Sequence, residues 1–138
     1  MENPFKYFES ILKFYVKDIA IKELPIKWAE RHRFYHNTSH LIQIIKDIES
    51  DIWFKELPVR DKHALLIAAF FHDVVYNPKS ETNEEDSINY FIKSYKLSDK
   101  SFKDKVCELI MVTKYRKRPN DRVERILWDA DNAGFRKS

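Results

Sequence analysis

The chain of 138 residues contains a single cysteine, a single glycine and no long apolar run. Because Cys107 stands alone, an internal disulfide and a zinc site built on several cysteines are excluded. One glycine argues against many tight turns between strands, since those turns need residues that tolerate positive φ. A conventional membrane-spanning helix needs about 18 or more apolar residues in a row, which the chain lacks. The first ten residues, MENPFKYFES, also lack the basic start and apolar stretch of a signal peptide.

What remains is a composition typical of one helical domain. Hydrophobic residues make up 43% and charged residues 34% of the chain, enough for both a core and a solvated surface. The formal net charge of +3 is small for a dedicated nucleic-acid binder, although a mild positive field suits an anionic substrate. We expect a single all-α domain over residues 1–138, located in the cytoplasm and without a membrane partner.

Apolar residues at helical spacing predict a bundle of about six helices, with one further short helix. The predicted spans are 4–20, a short helix starting near Pro25, 38–51, 59–76, 83–95, 101–113 and a last helix from about 121. The stretch ALLIAAFFHDVVY is apolar on every side, which predicts that the helix containing it is the buried central one.

The central helix carries two polar residues, His72 and Asp73, in the most apolar part of the chain. A buried charge without a partner costs several kcal/mol, so something must compensate both side chains. A metal ion does so, because it accepts an imidazole nitrogen and a carboxylate oxygen together. The alternative is that His72 caps the helix end and Asp73 pairs with an arginine.

Two further motifs contain metal-ligand residue types. In YHNTSH, His36 and His40 are four residues apart, and on a helix this spacing puts both rings on one face. In WDADN, Asp129 and Asp131 are two residues apart near the end of an amphipathic helix, so only one of them is expected to face inward. Read alone, the acidic pair is better explained as a solvated helix end.

The order of these motifs resembles the HD superfamily of metal-dependent phosphohydrolases over nearly the whole chain. The segments RFYHNTSHL, FFHDVVYNP, TNEEDS and WDADN look like an uncharacterised bacterial family of predicted metal-dependent HD phosphohydrolases. YHN-x-x-H is also similar to the start of the active site of cyclic-nucleotide phosphodiesterases. The resemblance implies an HD-domain helical bundle and one divalent metal ion, whether Mn, Mg, Fe, Co, Ni or Zn.

The resemblance also implies a role for each residue at a matching position. The metal ligands are His40, His72, Asp73 and Asp131, the last favoured over Asp129 by the match of its Ala-Asp pair. The catalytic residues are His36, Asp73 and Glu84: His36 is the general acid, Asp73 also orients the attacking water, and Glu84 supports a ligand or a water. For Glu84, a simple carboxylate at a helix start is an equally good interpretation.

Two departures from the family pattern restrict this prediction. No histidine follows His72, which argues for one metal ion, or for a second ion held only weakly. Relatives continue for several helices beyond the position of Asp131, and the surface that such helices would cover favours a homodimer.

We therefore expect a phosphohydrolase acting on a nucleotide or a related small phosphoester. The rival hypothesis is a degenerate HD module that binds metal or nucleotide without turnover. Arg33, Lys114, Arg116 and Arg118 are candidate phosphate contacts, although a solvated basic loop is the plainer interpretation of the last three. RNA binding through residues 114–125 is disfavoured, because the segment offers no base-stacking aromatic residue beyond Tyr115.

Overall fold

A computed structural model describes residues 1–137, with side chains described as far as residue 133. Within this part, the chain forms eight α-helices, one short 3-10 turn and no β-strand. The helices are α1 Pro4–Tyr7, α2 Glu9–Tyr15, α3 Asp18–Trp28, α4 Thr38–Ser50, α5 Val59–Phe71, α6 Asn83–Ser94, α7 Lys100–Val112 and α8 Arg122–Lys137, with the 3-10 turn at Phe54–Glu56. The all-α prediction is confirmed, but the expected number of about six helices is too low.

The additional helices come from the N-terminal region, where the predicted single helix over residues 4–20 is wrong. The chain leaves helical geometry at Phe8 and again at Val16, whose backbone is extended. Val16 forms an isolated antiparallel bridge with Tyr95, which holds the start of the bundle against the end of α6. A second helix starting at Pro25 is also not formed, because Pro25 lies inside α3 near its end.

Helix α5 lies at the centre of the bundle and packs against α4, α6, α7 and α8. Every residue of Ala64–Phe71 is buried, as the apolar run predicts. The helix ends at Phe71, however, and does not continue to residue 76. His72 and Asp73 therefore lie in the turn that follows α5, where the carbonyl groups of the last helical turn lack partners within the helix.

Side chains satisfy several of these carbonyl groups. The Nδ1–H of His72 donates to the carbonyl of Ala69 at 2.7 Å, and the indole Nε1–H of Trp28 donates to the carbonyl of Phe70 at 3.0 Å. Trp28 is completely buried, so its hydrogen bond lies in the core. The C-terminal end of α5 is thus fixed against α3 before any ligand is considered.

None of the described helices combines the length and the apolar character that crossing a bilayer requires.

We predict that Trp28→Phe lowers the free energy of unfolding by about 1–3 kcal/mol, because it leaves the buried Phe70 carbonyl without a donor. Chemical denaturation measures the loss. Trp53→Phe is the matched control, because Trp53 is 41% exposed, and it should change the free energy of unfolding by less than about 0.5 kcal/mol. Equal stability of the two variants would contradict the proposed role of Trp28.

Candidate metal centre

The four predicted metal ligands converge on one point between α4, α5 and α8. His40 lies in the first turn of α4, His72 and Asp73 directly follow α5, and Asp131 lies on α8. The Oδ1 atom of Asp131 is 3.4 Å from Nε2 of His40 and 3.5 Å from Nε2 of His72. The Oδ2 atom of Asp73 is 3.6 Å from Nε2 of His72. These are ion-pair distances, longer than those of good hydrogen bonds.

The residues form two overlapping groups that could each hold an ion. One group is His40, His72 and Asp131, the other is His36, His40 and Asp73, and the ligand atoms within each group lie within 4.8 Å of one another. The two groups share His40 and together form the candidate centre, and among the described residues neither group contains all four predicted ligands.

The local sequence explains how α4 presents its histidine. Asn37 is the N-cap residue, and its side-chain oxygen accepts the backbone N–H of His40 at 3.3 Å. His36 therefore precedes the helix, and the expectation that both histidines lie on one helical face is wrong. The rings still meet edge to face with their centroids 5.6 Å apart, and Nδ1 of His36 lies 2.6 Å from Oδ2 of Asp73.

Arg33 joins this loop to the end of α5. Its side chain is completely buried, and it donates to the carbonyls of Asp73 at 2.6 Å and Val74 at 2.7 Å. It also donates to the carbonyl of His36 and to the carboxylate of Glu30. Its donors are thus committed within the protein, which disagrees with the expectation that Arg33 meets phosphate.

The TNEEDS segment holds the turn that follows α5, through contacts that were not predicted from the sequence. The hydroxyl of Ser87 is buried, accepts the N–H of Val75 at 3.1 Å and lies 3.2 Å from the Val75 carbonyl. Asn83 makes two hydrogen bonds to the backbone of Asn77 instead of capping α6. Glu84 lies half-buried in the first turn of α6 and belongs to neither group of ligands.

The two aspartates of WDADN face different partners. The carboxylate of Asp129 accepts two hydrogen bonds from Arg118, at 2.9 and 2.8 Å, whereas Asp131 meets the two histidines. Arg118 is therefore engaged in an ion pair. Lys114 is also paired, with Glu85, and neither cation meets the metal centre.

Three buried imidazole nitrogens in this centre lack a hydrogen-bond partner in the described part of the chain: both ring nitrogens of His40 and Nε2 of His72. A buried polar atom left unsatisfied costs about 1–3 kcal/mol. Because Nδ1–H of His72 is bonded to a backbone carbonyl, the neutral ring directs the lone pair of Nε2 towards the carboxylates. Two imidazoles and two carboxylates suit a divalent first-row ion. The residues present therefore fit a metal ion.

The charges of the centre are strongly coupled. Burial lowers the pKa of His72, but the carboxylates of Asp73 and Asp131 outweigh it and raise the pKa to about 9. Burial raises the pKa of Asp131, yet contacts with His40 and His72 hold it well below its usual range. The pKa of Asp73 is also lowered, by His72 and His36 against the effect of burial. Without metal, a proton on His72 balances the carboxylates.

We predict that Mn²⁺ raises the melting temperature of the protein, and that Asp131→Asn removes this effect. At a metal concentration about 100 times the Kd, binding to the folded state adds about 2.7 kcal/mol of stability. Asp129→Asn is the matched control, because Asp129 binds Arg118, and it should retain the shift. Thermal denaturation with and without Mn²⁺ measures both, and a shift lost equally in the two variants would contradict the assignment of Asp131.

The raised pKa of His72 predicts the pH dependence of metal binding. Below pH about 9 the metal-free ring carries a proton, and an ion binds only to the neutral ring. Binding at pH 7 should thus release about one proton from His72, and affinity should rise up to about tenfold per pH unit between pH 6 and pH 8. Titration calorimetry in buffers of different ionisation enthalpy counts the protons. Binding without proton release would contradict the prediction.

Comparison of the chain with protein-family models, with curated proteins and with solved structures gives no match.

Proposed function

We propose that the protein is a metal-dependent phosphohydrolase of the HD type, acting on a nucleotide or a related small phosphoester. The observation that carries the proposal is the set of buried imidazole nitrogens of His40 and His72 that make no hydrogen bond, beside the carboxylates of Asp73 and Asp131. Their ion-pair contacts alone leave these nitrogens without hydrogen bonds, whereas buried polar groups in proteins are normally hydrogen-bonded.

In this proposal, His40, His72, Asp73 and Asp131 hold one divalent ion. A bound ion of this kind polarises a phosphoryl oxygen and lowers the pKa of a coordinated water towards about 7. The protein's contribution is to hold four ligands in place at the meeting point of three helices. Arg33 supports this geometry through the carbonyls next to the ligand Asp73.

His36 is the proposed general acid, and its surroundings orient its ring. Nδ1 faces Oδ2 of Asp73 at 2.6 Å, so Nε2 is the nitrogen left for the reactants. The ring stacks on Tyr76 with centroids 4.2 Å apart and meets Tyr35 edge to face at 5.2 Å. A quarter of its side chain is exposed, so it can meet a ligand that enters from solvent.

The proposed reaction is the hydrolysis of a phosphoester. Hydrolysis joins the oxygen of water to phosphorus and breaks the bond between phosphorus and the leaving oxygen. Nε2 of protonated His36 gives its proton to the leaving oxygen, and a proton from the attacking water restores the imidazolium. Histidine suits this exchange because an imidazole nitrogen can both donate and accept a proton.

The rim of the centre supports an aromatic substrate. An open depression of about 280 Å³ lies against His40 and is lined by Phe34 and Tyr35 among others. Phe34 is 93% exposed, which leaves its ring free to stack on a nucleobase. This favours a nucleotide over an aliphatic phosphoester.

We predict that His36→Asn lowers kcat by about 10²–10⁴-fold while metal affinity stays within a few-fold of the wild type. The measurement is hydrolysis of nucleoside phosphates and of a generic phosphodiester with Mn²⁺, alongside calorimetric metal binding. His63→Asn is the control, because His63 contacts Tyr15 and lies outside the ligand groups, so its kcat should not change.

The outcomes separate the two hypotheses carried from the sequence. Metal binding without turnover of any of these substrates would contradict the enzyme and favour a module that binds metal or nucleotide. Turnover that survives in His72→Ala and Asp131→Asn would contradict the assignment of the centre itself.

A further inference from the structure

The positive charge of the chain is concentrated in residues 114–125. This segment carries six basic and two acidic residues, a net charge of +4, whereas the whole chain carries +3. The rest of the molecule is therefore slightly negative. The segment comprises the loop after α7 and the first turn of α8, and Arg116, Lys117 and Arg122 within it are exposed.

Acidic and basic side chains at the start of α8 lie on different faces of the helix. Asp121 and Glu124 line a depression next to Lys105 on one side. Arg122 and Arg125 line a second depression on another side, because residues three apart share a helical face. The acidic residues of the segment are thus directed away from the arginine pair.

The structure adds an aromatic ring to the arginine face. The guanidinium carbon of Arg122 lies 4.2 Å from the centroid of the Trp53 ring, and Trp53 remains 41% exposed. Trp53 precedes the 3-10 turn between α4 and α5, far from α8 in the sequence. It adds a second exposed aromatic ring to a basic segment whose own aromatic residue is Tyr115.

The two arginines are available to a ligand. Arg118, which lines the same depression, is occupied by Asp129. Within residues 1–133, neither Arg122 nor Arg125 has an ion pair with a carboxylate, although Asp51 also borders the depression. Two guanidinium groups without a carboxylate partner, beside an exposed indole, can pair with phosphates while a base stacks on the ring.

We propose that Trp53, Arg122 and Arg125 form a binding face for single-stranded nucleic acid, extended by the neighbouring cations Arg116 and Lys117. The arginines contact the backbone phosphates, and the Trp53–Arg122 pair provides a platform on which a base stacks without sequence preference. The face does not use any of the metal ligands, so the inference is independent of the proposed hydrolysis.

The test is fluorescence anisotropy with fluorescein-labelled dT12 and U12 in EDTA, so that the metal centre cannot contribute. We expect binding at 50 mM NaCl that weakens steeply up to 300 mM, with a log–log slope of about −0.7 for each phosphate contacted. The double variant Arg122→Ala, Arg125→Ala should bind at least about tenfold more weakly, with a slope shallower by about 1.4. Lys6→Ala, Lys22→Ala removes the same charge from exposed positions on α1 and α3 and should stay within about twofold of the wild type.

Variants of Trp53 test the contribution of stacking independently of charge. Trp53→Ala should weaken binding at least about fivefold with an unchanged salt slope, and Trp53→Phe should recover most of the loss. Circular dichroism melts establish that each variant is folded. The proposal is overturned if the wild type does not bind at 50 mM NaCl, or if the double arginine variant binds like the wild type. It is also overturned if a dA12·dT12 duplex binds as tightly as the single strands.

Discussion

Two hydrogen bonds from the buried guanidinium of Arg33, to the carbonyls of Asp73 and Val74, join the loop before α4 to the turn after α5. That turn contains His72 and Asp73, and the loop contains His36. The same arginine donates to the carbonyl of His36, so one side chain binds the backbone of two residues of the candidate metal centre, His36 and Asp73. The Trp28–Phe70 hydrogen bond adds a further donor at the C-terminal end of α5. Together these contacts hold the carbonyls at the end of this apolar helix, next to the polar side chains of His72 and Asp73.

The centre concentrates charge where the fold can least solvate it. His72 is 1% exposed and Asp73 is 6% exposed, next to a helix whose last eight residues are all buried. Burial of ionised groups is unfavourable unless opposite charges and hydrogen bonds compensate them. Here the compensation within the protein is incomplete, since three imidazole nitrogens have no hydrogen-bond partner in the described residues. A divalent ion would complete it, which connects the energetics of the core with the proposed chemistry.

The helical periodicity allowed much of this fold to be predicted. The central position of α5 follows from an apolar run without a polar face, and α4 begins at Thr38, where its predicted span begins. The break of the first predicted helix at Val16 could not be predicted, because it depends on the tertiary bridge to Tyr95. Local propensity contains no information about such a contact.

The residues of the two candidate sites also divide into those that the local sequence identifies and those that depend on tertiary contacts. Residue types and their order identified His40, His72, Asp73 and Asp131, which the structure brings together. The supporting roles of Arg33, which was expected to contact phosphate, and of Ser87 were missed, because an arginine or a serine in isolation is typical of a surface. An apolar helix that ends in a buried turn needs hydrogen-bond donors for its last carbonyls. This requirement is the one signal that could have pointed to the supporting residues. The pairing of Trp53 with Arg122 joins distant parts of the chain and had no sequence signal.

The most direct test of the metal centre is anomalous diffraction from crystals grown with Mn²⁺ or Zn²⁺, recorded on both sides of the absorption edge of the metal. The account predicts one strong peak within about 2.0–2.3 Å of side-chain atoms of His40, His72, Asp73 and Asp131. A map without a peak among these residues, in a protein that retains its fold, would contradict it.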